Sequence, residues 1–268
     1  MIKSIISTQN PLIKNIVSLQ QKVKERKAQN LIVIEGVKEI ELAVKSGFLI
    51  KKVLFCPDYI NLENVKNIFD KIFDKLDIIE INEYVFNKIS YRETSGGLIV
   101  LAEPKQQNIF DLNVNDNSFF IILEKVEKPG NLGAILRTAD AARIDGVIIC
   151  DPQTDIFNPN VIRSSIGCVF TTNLATATSD EVFDWLRKHK ITSYAAALTA
   201  TVFYHNIDFT SSCAVVMGTE SSGLSSKWLD GADNQIKIPM RGKIDSLNVS
   251  TSTAIIVFEA MRQRGFIL

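Results

Sequence analysis

The chain is poor in the residue types that most metal and acyl-transfer centres rely on. Its 268 residues include two histidines, His189 and His205, and neither has a second histidine at helical spacing. Metallohydrolase and Ser-His-Asp chemistry therefore start without their usual base or ligands. Four cysteines, Cys56, Cys150, Cys168 and Cys213, stand far apart with no Cys-x-x-Cys pair. This spacing argues against a zinc site or a dithiol redox centre and fits buried free thiols; no metal is expected. The longest apolar stretches, such as 118–123 and 254–258, fall far short of the roughly 20 residues that cross a bilayer. The first residues lack a basic segment followed by a sustained apolar core, so no secretory signal is read there and a cytoplasmic location is expected. No glycine-rich Gly-x-Gly-x-x-Gly turn follows the strand near residue 124, which disfavours a dinucleotide-binding oxidoreductase.

Hydrophobic residues make up 46% of the chain and charged residues 22%, the balance of a folded protein rather than a disordered one. The length favours two domains over one. Formal charge is zero, yet residues 1–60 carry 10 Lys/Arg against 5 Asp/Glu, while residues 61–120 carry 6 against 10. Lys14, Lys22, Lys24, Arg26 and Lys27 form a compact basic segment. Such a segment suits phosphate contact, and it equally suits a solvated helix face.

Between Leu31 and Ala102 short elements alternate in type. Strands are expected at 31–34, 53–56, 78–81 and 98–101, with helices at 37–45, 61–75 and 83–89. This is the pattern of a small α/β sandwich. The polar stretch 104–117 reads as a linker. Beyond it, apolar runs at 119–123, 146–150, 194–198 and 214–217 alternate with helical segments, as in a parallel sheet covered on both faces. The expected division is 1–103, linker 104–117 and 118–268.

Three segments of the last part have room for chemistry. In Pro129-Gly-Asn-Leu-Gly-Ala-Ile-Leu-Arg137, Asn131 is placed to cap a helix packed through Leu132, Ile135, Ala139 and Ala142. Arg137 points away from that face, and Gly133 is expected to leave open space beside its guanidinium. An exposed arginine on a capped helix explains the same residues. In Met217-Gly-Thr-Glu-Ser-Ser-Gly223, two glycines flank Glu220 in a loop at a strand end, a ligand turn or a plain one. In Ile238-Pro-Met-Arg-Gly-Lys-Ile-Asp-Ser-Leu-Asn-Val-Ser250, polar Ser246, Asn248 and Ser250 crowd a helix entrance expected at Val249–Gln263. Capping accounts for one of these three residues and not for all.

In this order, Asn-x-Gly-x-x-x-Arg (131–137), Gly-x-Glu-x-x-Gly (218–223) and Ile-Pro-Met-x-Gly-x-x-x-Ser-Leu-Asn-Val-Ser (238–250) resemble the three motifs of the SpoU (TrmH) family of RNA ribose 2'-O-methyltransferases. The resemblance implies a C-terminal SPOUT α/β domain with a deep trefoil knot, preceded by a small substrate-binding α/β sandwich, and a homodimer. It implies S-adenosylmethionine as cofactor, held by Leu198, Thr199, Met217, Gly218, Ile238, Met240 and Leu247. It makes Arg137 the catalytic residue, with Asn131, Glu220, Ser246 and Asn248 shaping the site around it. A guanidinium is effectively always protonated, so phosphate binding and alkoxide stabilisation fit Arg137 better than a general-base role. The implied partner is structured RNA, ribosomal rather than transfer RNA, with Lys22, Lys24, Arg26 and Lys27 on its backbone. A tRNA substrate, or an RNA-binding or ribosome-assembly protein that kept the fold without turnover, are the alternatives. One departure stands out: many members carry Gln-Asp-Pro or Asp-Pro before the asparagine, whereas this chain reads Val126-Glu-Lys-Pro-Gly130.

Overall fold

The computed structural model describes residues 2–91, 96–105 and 107–266. Their contacts divide into two units. One unit takes in the chain up to Lys105 together with Ile156–Thr171; the other takes in the rest.

The first unit runs β1 (Lys3–Ile5), α1 (Pro11–Gln21), α2 (Val23–Gln29), β2 (Ile32–Glu35), α3 (Val37–Lys45), β3 (Ile50–Phe55), α4 (Leu62–Phe69), β4 (Asp77–Ile81), α5 (Glu83–Ile89) and β5 (Leu98–Ala102). Its five strands are ordered β1-β4-β3-β5-β2, with β5 antiparallel to both its neighbours and the other pairs parallel. The helix expected over 61–75 stops at Phe69 and continues as a 3-10 turn over Asp70–Lys75, after Asp70 takes a positive φ of 33°. Helix starts follow local chemistry: Asn10, Asn61 and Asn82 each accept a backbone N–H from the first turn of α1, α4 and α5. Ile13, Ile16 and Leu19 of α1, Val85, Phe86 and Ile89 of α5, and Val33, Leu54 and Ile99 from the sheet form one core.

The second unit continues with β6 (Phe119–Glu124), α6 (Pro129–Ala141) and β7 (Gly146–Cys150). The chain then enters the first unit as α7 (Pro159–Ser164) and α8 (Cys168–Thr171). There Phe157 and Phe170 pack edge-on against Phe48, with ring centroids 6.0 and 4.9 Å away. This excursion falls within 118–268, which the sequence pattern reads as a single block. The second unit resumes with β8 (Leu174–Ala177), α9 (Ser179–His189), β9 (Thr192–Ala196), β10 (Val202–Phe203), β11 (Cys213–Met217), α10 (Ser226–Gly231), β12 (Asn234–Lys237) and α11 (Val249–Gln263).

Its seven strands are all parallel, in the order β10-β12-β9-β11-β6-β7-β8. Alternate residues of the buried strands serve opposite faces. Phe120, Ile122, Ile148 and Val216 meet Val182 and Trp185 of α9 and Trp228 of α10, while α6 and α11 pack together on the sheet's other side. The stretch 104–117 is not a bare connector. Ile109 and Leu112 are buried in this core, and Asn108 and Asp111 form a capping box around a 3-10 turn. All four cysteines are buried free thiols. Among the described residues no helix is long and apolar enough to cross a membrane, and no group of His, Cys, Asp or Glu is placed to hold a metal ion.

Candidate active site

Parallel strands place their C-terminal ends along one edge of the sheet, where open α/β folds bind ligands. Here the loops after β9, β11 and β12 and the start of α11 enclose a cavity of about 640 Å³. That volume lies within the range of about 300–1,000 Å³ typical of small-molecule sites. All seven residues expected to hold the cofactor line it: Leu198 and Thr199 after β9, Met217 and Gly218 at the end of β11, and Ile238, Met240 and Leu247 between β12 and α11. Glu220, Ser246 and Asn248 line it as well.

The loop after β11 is closed by a pair of backbone hydrogen bonds, and inside it the Thr219 hydroxyl accepts Ser222 N–H at 3.0 Å. Thr219 N–H donates to the Gly223 carbonyl at 3.0 Å, and Gly223 N–H donates back to the Thr219 carbonyl at 3.1 Å. Gly223 sits at φ +68°, a conformation that favours glycine. A Cβ on Gly218 would lie 2.2–2.4 Å from backbone atoms of Gly223 and Leu224, so no side chain fits there. Below the loop, the buried carboxylate of Glu124 accepts Ser225 N–H at 2.8 Å and ties the end of the turn to β6.

Glu220 gathers residues from the three motifs. Its Oε1 accepts the side-chain amides of Asn131 at 2.6 Å and Asn248 at 2.5 Å, and Lys128 Nζ is hydrogen-bonded to its other carboxylate oxygen. Asn248 also donates to Asn131 Oδ1 at 3.2 Å, while its own Oδ1 caps α11 by accepting Ser250 N–H. The Lys128 ammonium is the leading reason that the Glu220 carboxyl titrates below its ordinary value; the amide of Asn131 adds to it. Glu220 is thus a charged acceptor satisfied by three donors.

Several expectations need correction. Asn131 does not cap α6. Pro129 takes the first helical position, where its fixed φ suits a helix start, so the helix begins earlier and Lys128 sits at the cap. Asn131 is left in the first turn with its side chain free to reach Glu220. Gly133 is buried rather than flanked by open space. Arg137 is exposed as expected, with no hydrogen bond or ion pair among the described residues, but it does not line the cavity of its own chain. Ser246 is exposed and donates to Asp245 at 3.0 Å. In the basic segment Arg26 is buried: its Nη1 donates to the Leu19 carbonyl at 2.5 Å and to the Gln20 carbonyl at 3.2 Å, joining α2 to the end of α1. It cannot lie on an RNA backbone in this fold, whereas Lys22, Lys24 and Lys27 are exposed. The residue missed as a site member is Lys128. Its signal was the departure at 126–130, which puts a lysine, opposite in sign to Glu220, directly before the proline where many family members carry an aspartate.

Residues 118–258 match the SpoU rRNA methylase family model, and residues 10–100 match the MRM3-like substrate binding domain. Across 96% of its length the chain is 27% identical to the 23S rRNA (guanosine(2553)-2'-O)-methyltransferase RlmP of Bacillus subtilis, 98% of which is covered. It is 33% identical to the 23S rRNA (guanosine-2'-O-)-methyltransferase RlmB of Haemophilus ducreyi over 70% of this chain and 80% of that one. The crystal structure of an AdoMet-bound rRNA methyltransferase from Sinorhizobium meliloti superposes with a TM-score of 0.90 at 30% identity, covering 97% of this chain and 98% of that one.

Proposed function

The chain belongs to the SpoU rRNA methylase family, and we propose that it transfers the methyl group of S-adenosylmethionine to a ribose 2'-oxygen of ribosomal RNA. The observation that carries this reading is the cavity itself, which collects the seven expected cofactor residues from three separate segments. Its chemistry fits the cofactor. Leu198, Met217, Ile238, Met240 and Leu247 offer apolar surface to a purine, and the side chain of Asp245 brings a carboxylate to a site for a sulfonium cation. When bound, the cofactor supplies an electrophilic methyl group.

The protein's own residues orient and stabilise. Glu220 holds the amides of Asn131 and Asn248 in place, so that the first and third motifs act as one wall. The guanidinium of Arg137 binds an RNA phosphate and stabilises negative charge as the ribose hydroxyl loses its proton to solvent. Holding hydroxyl and methyl in line removes much of the entropic barrier. Lys22, Lys24 and Lys27 engage the RNA backbone from the first unit.

The protein acts as a homodimer. Supporting this, Arg137 lies outside the cavity of its own chain while α11, the helix packed on α6, leaves Phe258 42% exposed. A second copy docked there covers that ring and supplies its arginine. The C-terminal segment threads through a loop as a deep trefoil knot, a rare topology, and Asn248 at the entrance of α11 meets Asn131 and Glu220. The test is methyl transfer to unmodified ribosomal RNA, with RNA lacking the 2'-hydroxyl at the target nucleotide as the control that must fail.

A further inference from the structure

We infer that a groove in the first unit, centred on Tyr91, holds an unpaired nucleotide of the RNA substrate. The inference rests on the reading of the chain as an RNA methyltransferase. The groove encloses about 400 Å³ between α1, the end of α5 and the start of α7. Tyr91 presents a ring that is 50% exposed on a backbone that is fixed, because its N–H is held by both carboxylate oxygens of Glu35 at 2.9 and 2.8 Å. The Arg163 guanidinium lies over the ring, 5.9 Å from its centroid. An exposed aromatic ring on a rigid support beside a cation is the arrangement on which splayed-out RNA bases stack.

The walls suit the rest of a nucleotide. Gln20, Gln21, Asn158 and Asn160 line them with side chains that both donate and accept hydrogen bonds, as the edge of a base requires. Gln20 is itself fixed by donating to the Ile89 carbonyl at 2.6 Å. Exposed Lys88 supplies positive charge at one wall. On α1, exposed Lys14 shares the face of Val17 and Gln21 at helical spacing, so a further cation lies on the α1 side of the groove. The acid beneath, Glu35, is occupied by the Tyr91 amide. A peptide would need apolar pockets, and among the described residues the apolar lining is Val17, Pro159 and the Tyr91 ring.

Binding of unmodified large-subunit ribosomal RNA transcript to Tyr91→Ala, Tyr91→Phe and Lys88→Glu proteins tests the groove, alongside calorimetric titration of S-adenosylhomocysteine. Tyr91→Ala should weaken RNA binding about tenfold, the scale of one lost stacking contact. Tyr91→Phe should bind within twofold of wild type. Lys88→Glu should lower the slope of log affinity against log salt by about 1. Cofactor affinity should stay the same in all three. Wild-type RNA affinity in both Tyr91→Ala and Lys88→Glu, in a protein that still methylates the RNA, would overturn the groove and leave the enzymatic reading standing. A wild-type protein that neither binds nor methylates ribosomal RNA would overturn both.

Discussion

The two units use their polar residues in opposite ways. In the second, residues up to 117 positions apart, such as Asn131 and Asn248, meet at a single carboxylate beside one cavity. In the first, cations adjacent in sequence part company: Arg26 turns inward onto the Leu19 carbonyl while Lys22, Lys24 and Lys27 face solvent. Convergence of distant segments requires the fold and marks a site, whereas clustering along a helix needs only composition. A charged residue in such a cluster serves structure or recognition according to which side of the helix it occupies.

The sharpest way to break this contrast is to remove Arg137. Arg137→Ala should lower turnover by about 10²–10³-fold, the usual cost of deleting one donor to a developing oxyanion, with cofactor affinity preserved in calorimetry. If the dimer is built as proposed, an equimolar mixture of Arg137→Ala and a cofactor-cavity variant should recover up to about a quarter of wild-type activity, because half of the dimers are mixed and each carries one intact site. No recovery would place Arg137 in the service of its own chain's cavity.

Gly218→Ala comes next. The added Cβ must displace the Gly223 backbone. Overpacking of this kind costs about 1–3 kcal/mol, so cofactor affinity should fall about tenfold to a hundredfold in calorimetry. Unchanged affinity would show that the closed turn is incidental to the cavity.

Two substitutions sharpen the contrast within the basic segment. Arg26→Ala should lower stability by about 1–3 kcal/mol in denaturant titration, because the buried Leu19 carbonyl and the part-buried Gln20 carbonyl lose their donor. Reversal of Lys22, Lys24 and Lys27 to glutamate should leave the melting temperature nearly unchanged while weakening RNA binding and flattening its salt dependence. Equal effects of both on RNA affinity would erase the distinction.

The smallest effect concerns pH. Glu220 titrates below its unfolded value, so its contribution to stability is complete above about pH 4.3 and is lost as pH falls through the lower folded value. The melting temperature of wild type should exceed that of Glu220→Gln by a constant margin near neutrality, and the margin should close in acid. A margin independent of pH would deny the role of the Lys128 ion pair.

Much of the second unit was legible because its strands are apolar on both faces and its motifs carry side chains at fixed spacing. The helix Val249–Gln263 falls where its capping asparagine and apolar period put it. Strands β1, β8, β10 and β12 were not legible. They are two to four residues long, and β12, Asn-Gln-Ile-Lys, buries Ile236 alone, so neither alternation nor an apolar run announces it. The strand expected at 194–198 forms two residues earlier, leaving Leu198 exposed at the cavity instead of in the sheet. Asn131 was misplaced because asparagine is a strong cap and the preceding proline, a first-turn residue, outranks it. Nor does spacing reveal that 156–171 joins the first unit. Its apolar residues fit either core, and the choice is made by tertiary packing against Phe48.

Delivery of a methyl group from the C-terminal cavity to a ribose oxygen is the step on which every role above depends. The direct measurement is incubation of unmodified ribosomal RNA with protein and S-adenosylmethionine labelled in the methyl group, followed by alkaline hydrolysis. The label should reside in an alkali-resistant dinucleotide, since 2'-O-methylation blocks cleavage at that position. Label recovered in a mononucleotide modified on its base, or no transfer by protein that binds the cofactor, would contradict it.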